Sequence, residues 1–176
     1  LRVAGSPGNF RMRLRTAQVG RLGLATLSFG AEVDIEQAGD RPFVLVTAQV
    51  GGFSRVATAG RVAEGGGGFV VVDSAGQSVS KRFSSDSERC NVRIDQAVID
   101  GKCAALLGRP LDRPLSFSPF GANNGVVQRR WLGLLQMLLG YAGLPALSPV
   151  NPIVHHLEEA VLLHLLLEHE HLYSAE

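Results

Sequence analysis

The chain has 176 residues, of which 45% are hydrophobic and 19% charged, and 17 basic against 16 acidic residues give a formal net charge of +1. This composition is typical of a globular protein of about one domain that buries a core without disulfide bonds. The near-neutral charge excludes a chain whose overall electrostatics would attract nucleic acid or an anionic membrane.

The first half of the chain predicts about eight short β-strands. Its segments are rich in β-branched and aromatic residues, and several alternate with a period of two. The glycine run at 65–68 leads into a strand, so it indicates a turn rather than a phosphate-binding loop, which needs a following helix. Such strands, with no long helix between them, are typical of a small antiparallel barrel or sandwich. The predicted strands are Met12–Thr16, Leu22–Phe29, Glu32–Glu36, Phe43–Val50, Phe53–Thr58, Phe69–Val72, Val79–Ser84 and Arg89–Ile94.

From Asp95 onward the apolar residues recur with a helical period. Asp95 is placed to cap a first helix that runs through Leu107, where Gly108 and Pro110 end it. Residues 109–125 are rich in proline and predict a linker.

Two further helices are predicted, from about Val126 to Leu139 and from 149–152 to about His169. Ser148 or Asn151 is the expected cap of the third helix. Its second half is apolar nearly all round, so it must be buried on two sides. The sequence therefore predicts an α+β protein in which a small antiparallel barrel of about eight strands is followed by an α-helical hairpin.

Residues that bind metals or act as nucleophiles are scarce in the predicted barrel. All five histidines lie at or after position 155, so no predicted strand offers an imidazole. His164, Glu168 and His171 share one face of the third helix, but burial of His164 in the helix packing is the favoured interpretation. No G-x-S-x-G motif is present. We therefore expect no metal, no other cofactor and no catalytic residues.

Two cysteines, Cys90 and Cys103, make neither a CxxC pair nor a disulfide framework, which indicates a reducing, cytoplasmic compartment. No signal peptide is evident at the N-terminus, and the most apolar stretch, 131–147, is too short and interrupted to span a bilayer. From Trp131 onward there are five acidic residues and no lysine or arginine, which excludes a DNA recognition helix there.

Three segments are similar to the N-terminal domain of AraC/XylS-type transcriptional regulators. They are residues 22–30 (LGLATLSFG), residues 89–94 (RCNVRI) with the following helix that ends at 105–111 (ALLGRPL), and the closing residues 167–174. The resemblance spans the chain from about Phe10. It implies a cupin-like barrel that binds a small effector, helices that dimerise the protein, and a C-terminal pair of helix-turn-helix units that this sequence lacks.

We therefore expect an isolated regulatory domain that reaches DNA only through the absent part. The expected divisions are a barrel with its first helix (1–108), the linker (109–125) and a helical dimerisation hairpin (126–172). Dimer contacts are expected from Trp131, Leu134, Leu135 and Leu138 of the second helix, and from Leu157, Val161 and His164 of the third. Packing of one of these helices on the chain's own barrel is the alternative.

The expected effector is a small aromatic carboxylate, because the XylS branch of the family commonly senses aromatic acids and the first half has an arginine surplus. A carboxylate inside a barrel needs a guanidinium for bidentate pairing. The candidate contacts are Arg13 of the N-terminal arm, Arg41 and Phe43 where a strand begins, and Phe83 and Arg93 of later strands.

The alternative function is a metal-free enzyme in a small barrel, such as an isomerase or a hydrolase. It would need an acid/base pair inside the barrel. Glu32, Asp34 and Glu36 alternate on one strand face and offer carboxylates, but a solvated face is the favoured interpretation. We therefore expect a regulator rather than an enzyme.

Overall fold

The computed structural model describes residues 1–4, 10–39, 41–121, 124–142 and 151–175. Within them, ten β-strands precede three α-helices. The strands are β1 (Arg2–Val3), β2 (Arg13–Val19), β3 (Leu22–Ser28), β4 (Val33–Gln37), β5 (Phe43–Gly51), β6 (Ser54–Thr58), β7 (Arg61–Gly65), β8 (Val70–Asp73), β9 (Val79–Phe83) and β10 (Glu88–Asp95), and the helices are α1 (Gln96–Leu107), α2 (Gly125–Ala142) and α3 (Pro152–Glu168).

The strands form two antiparallel sheets that face each other. The first sheet has the order β1-β4-β9-β6-β7 and the second the order β2-β3-β10-β5-β8. Side chains from both sheets meet between them: Val56 and Val79 of the first sheet pack with Val71 of the second. The predicted α+β class, with a small antiparallel barrel followed by helices, is confirmed.

Both faces of the second sheet are buried. Alternate residues of a strand point to opposite faces, and one face lies under the helices, where its apolar side chains form the largest core cluster. That cluster includes Val44, Val46 and Ala48 of β5, Cys90, Val92 and Ile94 of β10, Trp131, Leu135 and Leu138 of α2, and Val161, Leu162 and Leu165 of α3. The other face of the sheet points into the barrel.

Strands β1 and β7 were not predicted from the sequence. β7 returns from β6 through a two-residue turn at Ala59 and Gly60, which both have positive φ, of 49° and 72°. Such turns suit the twist of a hairpin. The side chain of Val62 is exposed, so β7 lacks the apolar face from which a strand is predicted.

The helix boundaries follow the predicted cap positions, but the Asp95 side chain accepts a hydrogen bond from Arg93 and makes no capping hydrogen bond to α1. The N–H of Gly108, in the left-handed conformation at φ 68°, donates to the carbonyl of Ala104 and ends α1. Asn151 caps α3, since its side chain accepts a hydrogen bond from the Ile153 N–H at 2.9 Å. The other expected cap, Ser148, lies outside the described residues. No helix in the described ranges is both long and apolar enough to cross a membrane.

The segment predicted as a linker is packed into the core. Leu115 and Phe117 are buried, and we call residues 115–119 the strap. The strap is bonded on one side to β8 and the residue after it, because Phe117 N–H donates to Ser74 Oγ at 2.7 Å and Val72 N–H to the Pro119 carbonyl at 3.0 Å. The predicted linker therefore contains residues that belong to the core.

On its other side the strap is bonded to the residues that follow α3. The Ser118 N–H donates to the Glu170 carbonyl at 2.8 Å, and the Leu172 N–H donates to the Ser116 carbonyl at 2.9 Å. Phe117 and His171 form an isolated antiparallel bridge. The strap thus joins β8 to residues 170–172.

Most of the residues expected at a dimer interface are buried within one chain. Leu134 and His164 are half-buried, whereas the other five lie in the core beneath the second sheet. These five are Trp131, Leu135, Leu138, Leu157 and Val161. Their burial corresponds to the alternative that the sequence left open, which is packing on the chain's own barrel. A partner chain could not reach these five residues without opening the core.

Candidate functional site

The barrel interior is lined by polar side chains at positions that alternate with the helix-facing apolar ones. Thr47 and Gln49 of β5 lie opposite Asn91 and Arg89 of β10 in the strand register. Asp73 ends β8, and Lys81 lies in the middle of β9, on the other sheet. We call these six residues the interior polar cluster. All of them are buried except Asn91, which is half-buried.

A buried ion pair joins the two sheets across the interior. Lys81 Nζ lies 2.5 Å from Asp73 Oδ2 and donates to Thr47 Oγ1 at 3.2 Å. Burial lowers the pKa of Lys81, and the Asp73 carboxylate opposes that shift. Arg41 and Arg89 are close enough to lower the pKa of Lys81 further. The interior therefore concentrates positive charge around one buried carboxylate.

Arg89 is a buried guanidinium held between two aromatic rings. Its Cζ lies 3.7 Å from the centre of the Phe83 ring and 4.4 Å from that of Phe29. Cation–π contacts of this kind stabilise a desolvated guanidinium in part. Among the described residues no carboxylate pairs with it, and burial lowers its pKa to about 10. A buried cation without a counter-ion is costly unless an anion joins it.

Four buried polar atoms of the cluster have no hydrogen-bond partner among the described residues. They are Oε1 of Gln49, Oδ1 of Asp73, Nη1 of Arg89 and Oδ1 of Asn91. Such atoms are rare in folded proteins, and each calls for a water, an ion or a ligand. Their clustering on adjacent strands makes the barrel interior the candidate binding site.

Three of the residues expected to bind the effector meet at one end of the barrel. The guanidinium of Arg93 lies 4.9 Å from the centre of the Phe43 ring, and that of Arg41 lies 5.7 Å from it. Arg41 also donates to Gln37 Oε1 at 3.3 Å, whereas Arg93 is exposed and pairs with Asp95 at 2.8 Å. Phe83 lies elsewhere, against Arg89.

Arg13 lies apart from the other four. It is exposed on the face of β2 that continues the helix-facing side of the second sheet. There it lines a cavity of about 350 Å³ together with Arg15, Arg89 and Leu139. The structure therefore brings Arg13 to a cationic groove that reaches Arg89, rather than to Phe43.

The carboxylates considered for an enzyme face away from the interior. Asp34 accepts hydrogen bonds from Arg82 at 2.7 Å and from Arg2 at 2.8 Å, which together lower its pKa to about 2. Asp34 and Glu36 line a surface cavity of about 550 Å³ on the outer face of the first sheet. They occupy the solvated face favoured from the sequence.

No three His, Cys, Asp or Glu side chains in the described ranges are grouped to hold a metal ion. Of the three helix residues considered, Glu168 pairs with Arg130, and Nε2 of His171 lies 2.9 Å from the Leu166 carbonyl. The His164 ring packs 5.0 Å from that of Trp131. These side chains serve the packing around α3.

Sequence reasoning named none of the six cluster residues as a site candidate. The alternation of Arg89, Asn91 and Arg93 along β10 is the signal that was available. It separates two strand faces without saying which of them lines the barrel.

The sequence model of the AraC-binding-like domain family matches residues 1–168. No curated protein sequence matches the chain. The crystal structure of the AraC-like transcriptional activator CuxR superposes with a TM-score of 0.65 at 18% identity, covering 90% of this chain and 56% of that one. This chain thus spans little more than half of that activator.

Two less similar structures match about half of the chain. An HTH_3 family transcriptional regulator from Vibrio cholerae superposes with a TM-score of 0.43 at 11% identity, over 50% of this chain and 53% of that one. A cupin superfamily protein from Desulfitobacterium hafniense superposes with a TM-score of 0.42 at 10% identity, over 48% of this chain and 78% of that one.

Proposed function

The chain belongs to the AraC-binding-like domain family, and on that premise we propose that it is the ligand-sensing and dimerisation domain of a transcriptional regulator. DNA would be bound by a part of the regulator outside this sequence, in the cytoplasm. The domain itself would carry out no reaction. Its role would be to bind a small molecule in the barrel and a second copy through its helices.

The effector we propose is a small aromatic carboxylate bound in the barrel interior. The observation that carries this proposal is the buried Arg89 guanidinium, which has two aromatic faces and no carboxylate partner among the described residues. An arriving carboxylate would neutralise this charge and form short, charge-assisted hydrogen bonds. The rings of Phe29 and Phe83 supply apolar surface for an aromatic guest.

The remaining expected contacts are not proposed to bind the carboxylate directly. Arg41 adds positive charge near Lys81, and Arg93 and Phe43 flank one end of the barrel. Arg13 lines the groove on the helix-facing side of the second sheet, where it would attract an anion to the surface of the domain. Each of these arginines would raise the association rate more than the final affinity.

Dimerisation would use the outward side of α2 rather than its core-facing side. Val126 and Met137 are exposed there, and Leu134 is half-buried beside them. An effector shifts the regulator's activity only if it binds one arrangement of the domain better than another. We therefore propose that the effector has a higher affinity for one arrangement of the barrel and helices than for another.

The test compares benzoate with its uncharged amide, benzamide, by thermal unfolding of the purified chain. At a concentration about a hundred times its Kd, benzoate would add about 3 kcal/mol to the free energy of unfolding. Benzamide should add much less. Equal shifts with both compounds, or no shift with benzoate, would overturn the proposed effector class.

Arg89→Met sharpens this test, since methionine keeps much of the volume and removes the charge. Replacing an uncompensated buried charge by an apolar side chain of similar volume is neutral or stabilising, so the ligand-free variant should unfold no earlier than the original chain. The benzoate response should nevertheless disappear. Arg55→Met, on the exposed outer face of the first sheet, is the matched control and should keep it.

A further inference from the structure

The atoms of the interior polar cluster that lack a hydrogen-bond partner require more of a ligand than a negative charge. One of them, Nη1 of Arg89, is a donor, whereas Oε1 of Gln49, Oδ1 of Asp73 and Oδ1 of Asn91 are acceptors. A plain aromatic acid offers only acceptors and an apolar ring. It would satisfy Arg89 and leave three buried oxygens without a donor.

For Gln49 and Asp73 the surroundings fix the assignment of the oxygen as an acceptor. The Gln49 amide nitrogen donates to the Gly51 carbonyl at 2.6 Å and to Ser87 Oγ at 2.7 Å, so its oxygen must point the other way. The other carboxylate oxygen of Asp73 is taken by Lys81. A carboxylate and an amide oxygen cannot donate, so the missing partners must be donors, on a guest or on water.

The strand register places the four atoms in one patch. Gln49 lies directly opposite Arg89, and Asn91 directly opposite Thr47. Directly opposed residues have Cβ atoms about 5 Å apart, and residues two apart on a strand lie about 7 Å apart. Lys81 bonds both Thr47 and Asp73, which brings the Asp73 carboxylate beside the same patch.

From this pattern we propose that the effector is a carboxylate that also carries at least two hydroxyl groups, with its carboxylate on Arg89 and its hydroxyls donating to Asn91, Gln49 or Asp73. The inference rests on the proposed function and narrows its ligand class. Hydroxyls match because each can donate to one buried oxygen, and leaving such an oxygen unpaired costs more than a made hydrogen bond gains.

Three probes separate the requirement for a carboxylate from the requirement for hydroxyl groups. Benzoate carries only the carboxylate, catechol only the two hydroxyls, and protocatechuate is benzoate with two added hydroxyls. By titration calorimetry on the purified chain, protocatechuate should bind more tightly than benzoate by about tenfold for each hydroxyl that reaches a buried oxygen. Catechol should bind more weakly than protocatechuate by a larger factor, because it leaves Arg89 unpaired.

Asn91→Ala tests the hydroxyl contact without touching the charge. It should reduce the preference for protocatechuate over benzoate about tenfold, and this ratio cancels any loss that the variant causes for both ligands alike. Gln136→Ala, which removes an exposed amide of α2, is the matched control and should leave this ratio unchanged. Asn91 is half-buried, so the variant should fold, and the ratio of the two affinities is an internal check that it has done so.

The outcomes distinguish this inference from the proposed function. Benzoate and protocatechuate binding equally would overturn the hydroxyl requirement and leave the carboxylate sensor standing. Failure of all three probes would overturn both. A ligand-free crystal structure with ordered waters on all three oxygens, and unchanged on addition of protocatechuate, would show that water completes the set and would also overturn the inference.

Discussion

The indole Nε1 of Trp131 donates a hydrogen bond to Nε2 of His169 across 2.5 Å, where α2 packs against the residue that follows α3. Both side chains are buried, and the ring of His164 lies 5.0 Å from the indole. Because Nε2 must be unprotonated to accept this bond, the contact exists only with a neutral His169.

The first prediction is a loss of stability in mild acid. Burial, together with the nearby His164 and His171, lowers the pKa of His169 to about 4. An unfolded histidine titrates near pH 6.5, so between these values the unfolded chain binds more protons than the folded one. The free energy of unfolding should therefore fall as the pH falls from about 6.5 to 4, by up to about 3 kcal/mol from His169.

Urea unfolding across this pH range measures the effect. His169→Gln should flatten the dependence, since glutamine has no proton to gain, and the exposed His156→Gln should leave it intact. A pH dependence that is the same in the His169 variant and in the original chain would contradict the assignment.

The second prediction concerns the attachment of α3 to the turn between β2 and β3. Glu158, buried on α3, accepts hydrogen bonds at 2.7 Å from both the backbone N–H and the Nε of Arg21. Glu158→Ala removes both at once and should lower the free energy of unfolding by about 2–3 kcal/mol. Glu159→Ala, beside it but paired with the partly exposed Lys102, should cost less than about 1 kcal/mol. Equal losses would argue against a special role for the buried carboxylate.

The third prediction concerns the ion pair that crosses the barrel. Lys81→Met leaves the Asp73 carboxylate buried and unpaired, which costs about 3–5 kcal/mol. Combining it with Asp73→Leu removes both charges, so the double variant should be more stable than the single Lys81→Met. Urea unfolding of Lys81→Met, Asp73→Leu and the double variant measures the coupling between the two residues. A loss of stability in the double variant equal to the sum of the two single losses would refute coupling across the interior.

The fourth prediction separates core packing from dimerisation on α2. Leu138→Ala, in the core, should lower the free energy of unfolding by about 2–5 kcal/mol whether or not the protein is dimeric. Met137→Lys, on the exposed side, should barely change the unfolding of a monomer and should weaken the proposed dimer. Sedimentation at several protein concentrations measures the second effect. A dimer that persists in the Met137 variant would place the interface elsewhere.

The strands were predictable because their side chains alternate, but the inward face was not. On β10 the apolar residues Cys90, Val92 and Ile94 would be assigned to the barrel by the rule that apolar residues lie inside. Helices cover that face instead, and the polar residues point into the barrel. Both faces of this sheet are buried, one under the helices and one in the barrel, and the sequence of one strand does not show which face is which.

Lys81 and Asp73 could not be identified in advance for a related reason. Charged residues on a strand usually mark its solvated face, and only the pairing of β8 and β9 with different sheets places the two opposite each other. The stripe on α2 was correct as an apolar stripe. The helical period of its apolar residues predicts that this side of α2 is buried, and the second sheet of the same chain buries it.

The strap gives the barrel a short route to the residues beyond α3. Val72 and Ser74 flank Asp73 in the sequence, and each is hydrogen-bonded to the strap, which is itself bonded to Glu170 and Leu172. Two hydrogen bonds in series therefore separate the neighbours of Asp73, whose carboxylate faces the barrel interior, from residues 170–172. If the proposed effector drew Asp73 further inward, it would pull on that series directly, without a rotation of α2 or α3 being needed.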